Sequence, residues 1–339
     1  MIPSVLENVS LKSYNTFGID VSAAFFATFN SVKELQLLLQ TDAVKQRNHL
    51  VMGGGSNMLL TKDFDGIVLK NNIKGIEILE EETTTATVRV GAGEVWHDFV
   101  MWAVNKNLGG VENLSLIPGS VGAGPIQNIG AYGVELKDCF KSLEAVEIKT
   151  GNIKTFTKDY CNFGYRYSIF KDSAKGKYII THVTFSLQKN PELNTTYGAI
   201  EQELKKQNAT PSIRTISDAV IAIRKSKLPD PAVLGNAGSF FKNPEVPVQK
   251  FEELKALYPT LTGYPVNETT IKLAAGWLIE QCGWKGKRIG NTGSHKDQAL
   301  VLVNYGNATG NEIYSLALDI KKSVHEKFGV DIEPEVNVI

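Results

Sequence analysis

Residues 49–57 read HLVMGGGSN: a short β-type run, then Gly53, Gly54 and Gly55, then Ser56 and Asn57. Glycines placed there let the backbone approach a ligand closely and aim its N–H groups at a diphosphate. The triplet does not open a long helix as G-x-G-x-x-G, and no G-x-x-x-x-G-K-[ST] occurs in the chain. A Rossmann dinucleotide site and a P-loop are both disfavoured. GAGEVW (91–96) and GAGPIQ (122–127) each begin G-x-G and lack the third glycine. One glycine triplet alone is more often a plain turn. Three glycine-rich segments on a non-Rossmann frame instead suit an extended dinucleotide such as FAD, whose length needs several backbone approaches.

Outward from the triplet, short β-type runs alternate with turn signals from about residue 20 to 190. GIVLK (66–70), TATVRV (85–90) and the longer alternating YIITHVTFSL (178–187) are the clearest. Leu35, Leu38 and Leu39 recur at helical spacing, as do Val95, Phe99, Trp102 and Ala103. This part reads as α+β. The stretch 109–133 differs, with seven of the chain's 30 glycines and no clear periodicity. Loops of that length are usually disordered or functional. Its interleaved Leu116, Ile117, Ile126 and Ile129 argue for a packed loop laid against a ligand.

A helix near 212–225 carries Ile216, Val220 and Ile223, and KLPDPAV then breaks it. A last domain follows, with a strand at SFF (239–241), a helix at IKLAAGWLIEQ (271–281), a strand at ALVLV (299–303) and a helix over 311–327. Ile313, Leu316, Ile320, Val324 and Phe328 form the stripe of that last helix, and Gly329 is placed to terminate it. The terminal VDIEPEVNVI alternates as a strand, with Pro334 making it an edge or a bulge.

Composition bounds the function. Lys plus Arg equals Asp plus Glu at 36 each, so no global field favours nucleic acid or an anionic membrane. Three well-separated cysteines, Cys139, Cys161 and Cys282, form no C-x-x-C pair and suit a reducing compartment without a zinc knuckle. The N-terminal residues lack a basic segment followed by an apolar run, and no apolar run approaches the roughly 20 residues of a bilayer span. A cytoplasmic location is expected, with no bound metal.

SYNTFGI (13–19), GGGSNML (53–59), GAGEVWHDFV (91–100), LIPGSVGAGPIQNIGAYGVEL (116–136), FGYRYSIFK (163–171), KLPDP (227–231), GNAGSFFKNP (235–244) and IEPEV (332–336) occur in this order. Together they resemble the UDP-N-acetylenolpyruvoylglucosamine reductase (MurB) family, and TYG (196–198) resembles the subtype with a substrate-covering tyrosine loop. The resemblance implies an α+β chain: a vanillyl-alcohol-oxidase/PCMH-type FAD-binding domain over 1–228, in lobes of about 1–75 and 76–228. A smaller α/β substrate-binding domain follows over 229–339. It implies noncovalent FAD and NADPH as reductant. The implied reaction turns UDP-N-acetylglucosamine enolpyruvate into UDP-N-acetylmuramate, in peptidoglycan synthesis. Flavin contacts are implied for Gly53, Gly54, Gly55, Ser56, Asn57, Pro118, Gly119, Ser120, Gly122, Ala123, Ile126, Gly130 and Tyr132.

Reducing an enolpyruvyl ether is a conjugate addition: hydride goes from flavin N5 to C3, charge builds at C2 and its carboxylate, and C2 takes a proton. By resemblance Ser239 is the proton donor, while Arg166 and Glu335 stabilise the enolate. Lys227 grips the substrate diphosphate, Tyr197 closes over it, and Asn243 is a further substrate contact. Each residue also has a bland reading. Ser239 suits a small turn residue beside Phe240 and Phe241, and Lys242 is its nearest candidate helper. Arg166 suits a surface arginine, and Glu335 cannot be preferred to Glu333 from the sequence. Arg224 and Lys225 suit compensation of a helix dipole. Two alternatives stay open: an oxidase of the same fold acting on an alcohol or sugar, and a non-catalytic flavin or nucleotide-sugar binding module. Such oxidases commonly tether flavin through histidine, and GGGSN offers none; His97 reads as a helix-surface or satisfied histidine.

Overall fold

The computed structural model describes residues 3–339, which form two compact units. The first takes in residues 3–9, Ala23–Gly54 and Phe64–Ser226. It contains two sheets. In one, the strands run in the order Leu6–Ser10, Ser22–Phe29, Phe64–Asn71, His49–Met52, the last three parallel, with Val68 opposite both Phe26 and Leu50. Ile67, Val68 and Leu69 are all buried, because a strand parallel to neighbours on both sides has no solvent face and reads as a continuous apolar run. The helix Val32–Leu39 buries Leu35, Leu38 and Leu39, and the Ser31 hydroxyl caps it by accepting from the Glu34 N–H at 3.2 Å.

The other sheet is antiparallel, in the order Ile153–Thr157, Phe140–Glu147, Tyr178–Gln188, Thr85–Gly91, Ile76–Glu81. Against it packs the helix Trp96–Asn105, whose Phe99 stacks on Phe185 with centroids 4.7 Å apart. The apolar stripe of this helix is Trp96, Phe99, Val100, Ala103 and Val104. Val95 does not belong to it: it precedes the first turn and is 44% exposed. The stretch 109–133 is ordered through 3-10 turns at Glu112–Leu114 and Val121–Ile126. Ile129 is buried there while Ile126 is 39% exposed, so only part of the expected packing holds.

The second unit comprises Ser10–Ser22, Gly55–Asp63 and Lys227–Ile339. Segments 10–22 and 55–63, which a boundary at 228 assigns to the first domain, therefore cluster with the C-terminal part. Their bonding accounts for this. The Thr16 N–H donates to Gly55 O at 3.2 Å, and Met58–Leu59 pairs in parallel with Asn337–Val338. Phe17, Ile19 and Leu59 join the same core as Phe240, Leu278 and Ile320. The main sheet of this unit is antiparallel, in the order Gly235–Ser239, Val301–Asn304, Thr292–Ser294, Arg288–Ile289. A three-stranded sheet joins Glu245–Pro247, Thr270–Leu273 and Gly263–Asn267.

The helix Gly310–Phe328 buries its predicted stripe and ends at Gly329, whose φ of 61° is left-handed. The expected 271–281 helix is instead a strand, Thr270–Leu273, followed by a helix, Ala275–Gln281. Ile271 and Leu273 alternate inward as strand residues do, and the Ala275 N–H is capped by the Asn243 side-chain oxygen at 3.0 Å. The strand at SFF ends at Ser239. The C-terminal run is not one continuous strand either: Phe241 bridges Pro334, and only Asn337–Val338 is regular. Val330, Ile332 and Val336 are nonetheless buried, as alternation predicts, whereas Val338 is 38% exposed.

Candidate functional site

The three glycine-rich segments meet in the first unit. A Cβ on Gly53 would overlap the Ser120 hydroxyl, and one on Gly54 would lie 3.0 Å from the Gly119 Cα. Gly122 is equally constrained, with Ala92 Cβ where its own would fall 2.5 Å away. Backbone bonds fix this arrangement: the Val121 N–H donates to Glu94 O and the Gly122 N–H to Ala92 O, both at 2.9 Å. Gly54, Pro118 and Ala123 remain exposed on this surface. Lys70 donates to Gly53 O from below, and its pKa is lowered first by burial and then by Lys74. A backbone surface with side chains removed, over a desolvated cation, fits the diphosphate of an extended dinucleotide. Gly55, Ser56 and Asn57 fall in the second unit, where a Cβ on Gly55 would overlap the Tyr14 carbonyl oxygen.

Arg166 and Tyr132 border the same loop. Arg166 has a left-handed φ of 51°, unusual for arginine, and its Nη2 donates to Gly130 O at 2.8 Å. Tyr132, also left-handed at 51°, meets Tyr197 edge to face with ring centroids 5.2 Å apart. Burial raises the Tyr132 pKa, against the opposing pull of Arg224. Asn113 joins the two tyrosine segments, its Nδ2 donating to Tyr132 O at 3.1 Å and Asn194 O at 2.9 Å. Tyr197 itself is 46% exposed, just before the helix Gly198–Lys206.

In the second unit Ser239 is exposed at the end of its strand, opposite Val301. The preceding turn is fixed by Asn236, whose Oδ1 accepts from the Gly238 N–H at 2.9 Å while Gly238 takes a φ of 70°. Phe240 and Phe241 then anchor the chain in the core. The Glu335 N–H donates to Phe240 O at 2.7 Å and the Lys242 N–H to Glu333 O at 2.9 Å. Glu335 is thus held beside the Ser239 segment and is partly buried. Glu333 is exposed and pairs with Lys242 at 3.6 Å, which gives that lysine a partner other than the serine. Asn243 spends its oxygen on the cap of the Ala275–Gln281 helix. Lys227 is exposed at the end of Ile213–Lys227.

Two features were not singled out from the sequence as parts of a site. Lys70 looks like any strand-end cation, and only the parallel pairing that sets Met52 opposite it brings it under the glycines. The other is a pair of side chains, His97 and Arg224, that grip Leu116. Among the described residues no helix is long and apolar enough to cross a membrane.

Comparison with known proteins agrees with this geometry. A sequence profile described as "FAD binding domain" matches residues 23–157, and one described as "UDP-N-acetylenolpyruvoylglucosamine reductase, C-terminal domain" matches residues 230–339. The chain is 53% identical over 337 residues to the UDP-N-acetylenolpyruvoylglucosamine reductase of Flavobacterium johnsoniae, with 99% of each chain covered. It is 47% identical over 333 residues to that of Pseudomonas aeruginosa, with 98% of each covered. Among solved structures, the reductase (MurB) from Thermus caldophilus superposes with a TM-score of 0.68 at 24% identity, covering 99% of both chains. 6-Hydroxy-D-nicotine oxidase from Arthrobacter nicotinovorans shares the fold at a TM-score of 0.56 and 14% identity, covering 98% of this chain and 87% of that one. The chain therefore contains an FAD-binding domain and belongs to the UDP-N-acetylenolpyruvoylglucosamine reductase family.

Proposed function

We propose that this flavoprotein reduces UDP-N-acetylglucosamine enolpyruvate to UDP-N-acetylmuramate with NADPH, a step of peptidoglycan synthesis. The observation that carries the reading is the backbone pairing of Phe240 with Glu335, which sets a proton-bearing hydroxyl and a carboxylate on adjoining segments of one unit. FAD, held along the backbone of Gly53, Gly54 and Gly122, would supply the hydride chemistry when bound, with NADPH as the source of the hydride. The remaining work belongs to the protein. Ser239 donates a proton to C2 from a strand end that Asn236 and the two phenylalanines hold in place. A free serine hydroxyl is a weak acid, so the developing enolate must itself be the driving base. Arg166 supplies a planar cation whose fork suits the substrate carboxylate. Glu335 hydrogen-bonds the developing enolate and relays a proton back to the serine after it has donated its own. Lys227, Tyr197 and Asn243 hold the nucleotide sugar, Lys227 through its diphosphate.

An oxidase with tethered flavin is the competing use of this fold. His97 already has a structural engagement, its Nδ1 accepting from the Leu116 N–H, and the GGGSN segment offers no histidine. The deciding experiment separates the two half-reactions of Ser239→Ala by stopped flow. NADPH should bleach the variant's flavin at nearly the normal rate, since that half delivers no proton to C2. Recovery of colour on adding the enolpyruvyl substrate should slow by ~10²–10⁴-fold, the usual effect of losing a positioned general acid. Equal loss in both halves, or in neither, would overturn the assignment.

A further inference from the structure

The flavin loop is entered through Leu116, whose φ of 57° lies in the left-handed region that a leucine avoids. Both polar groups of that residue are gripped. Its N–H donates to Nδ1 of His97 at 3.0 Å, and its carbonyl accepts from Nε of Arg224 at 3.2 Å. One residue before His97, the Trp96 N–H donates to Gly119 O at 2.9 Å, so the start of the loop is pinned to neighbouring positions of one helix.

A backbone N–H can only donate. Nδ1 of His97 therefore carries its lone pair, and the neutral ring bears its proton on Nε2. Protonating the ring would set one N–H against another and free the Leu116 peptide. Three charged groups face His97: Asp98 on its own helix, and Arg224 and Lys225 on the helix Ile213–Lys227. Burial lowers the His97 pKa most, Asp98 opposes that, and the two cations add to it. Arg224 is in turn hydrogen-bonded to Tyr132, so its position links the start of the loop to its far end.

We propose that His97 and Arg224 are positioning residues for the flavin loop, and that protonation of His97 unlatches Leu116 and loosens flavin in acid. The inference rests on FAD lying along the loop from Leu116 to Gly130. Its sign follows from linkage: a ring that must be neutral to hold flavin holds it above its own pKa and releases it as the pH falls through that value.

The test is the dissociation constant of FAD for the intact chain, read from recovery of flavin fluorescence between about pH 7.5 and pH 5. The wild type should lose about 3- to 10-fold in affinity over that range, the worth of one hydrogen bond. His97→Asn, whose amide oxygen reaches the place of Nδ1 and does not titrate, should stay level throughout. His97→Ala should be level as well, but already weak at pH 7.5. A wild type without pH dependence, or a His97→Asn variant that follows the wild-type profile, overturns the latch. A second measurement needs no variant: by reciprocity the His97 ring should titrate at lower pH in flavin-loaded than in stripped protein, followed by NMR. Equal titration in the two forms would refute it. Should Gly54→Val keep its flavin, the placement of FAD fails first; should it lose flavin while the wild-type profile is flat, only the latch fails.

Discussion

Gly54 brings its backbone to the Gly119 backbone with no room between them, and this closeness is open to a direct test. Its φ is not left-handed, so the effect of Gly54→Val should be steric: the added side chain presses on Gly119 and covers the exposed backbone proposed to hold the diphosphate. The expected product is folded, colourless protein, recognised by a normal circular dichroism spectrum without flavin absorbance. Lys227→Ala should do the opposite, keeping flavin and weakening the nucleotide sugar. A charge-assisted contact is worth about 1.5–3 kcal/mol, hence roughly 10- to 100-fold in substrate affinity by titration calorimetry. Normal substrate binding in that variant would displace the diphosphate from Lys227. At this level the close backbone approach at the glycines is legible, because their neighbours in sequence are so particular. The left-handed backbone of Leu116, Tyr132 and Arg166 is not, since none of the three residue types signals a positive φ. The contacts of His97 and Arg224 are hidden for a different reason: each reaches the Leu116 peptide from far away in sequence.

The secondary-structure elements are legible in the sequence where one force dominates. The helix Gly310–Phe328 shows its stripe and its stop in the sequence, with Gly329 ending it, while the structure adds a reciprocal cap of Thr309 and Glu312 at its start. Thr309→Ala should cost about 1 kcal/mol, seen as a lower urea midpoint with unchanged flavin content. Unaltered stability would mean that packing alone holds that helix end. Sequence and structure part where an apolar run is ambiguous between periods. Residues 271–281 contain enough apolar residues for one helix, but the first part is claimed by strand pairing with Glu245–Pro247, an interaction invisible from local spacing. The C-terminal run departs in another way. Its alternation was correct, yet Pro334 and the sparse partners left only a bridge and a two-residue strand.

For the whole molecule, the profile that begins at residue 230 and the unit that includes Ser10–Ser22 and Gly55–Asp63 do not coincide. A family signature delimits what resembles its relatives; it does not delimit what folds. Expressed alone, residues 230–339 would lack Phe17, Ile19 and Leu59 from their core, and Met58–Leu59 from beside Asn337–Val338. Burying a Leu, Ile or Phe side chain contributes about 1.5–3 kcal/mol, so three missing side chains amount to a large part of a typical domain's 5–15 kcal/mol. The fragment should therefore show poorly dispersed NMR resonances, and sharp, dispersed ones would disprove the dependence. The same threading bears on inheritance. A cassette exchanged between genes at codon 230 would arrive without two early segments that its core was built around. Grafts that carry residues 10–22 and 55–63 along with the C-terminal part should survive where single-crossover chimeras between distant relatives do not.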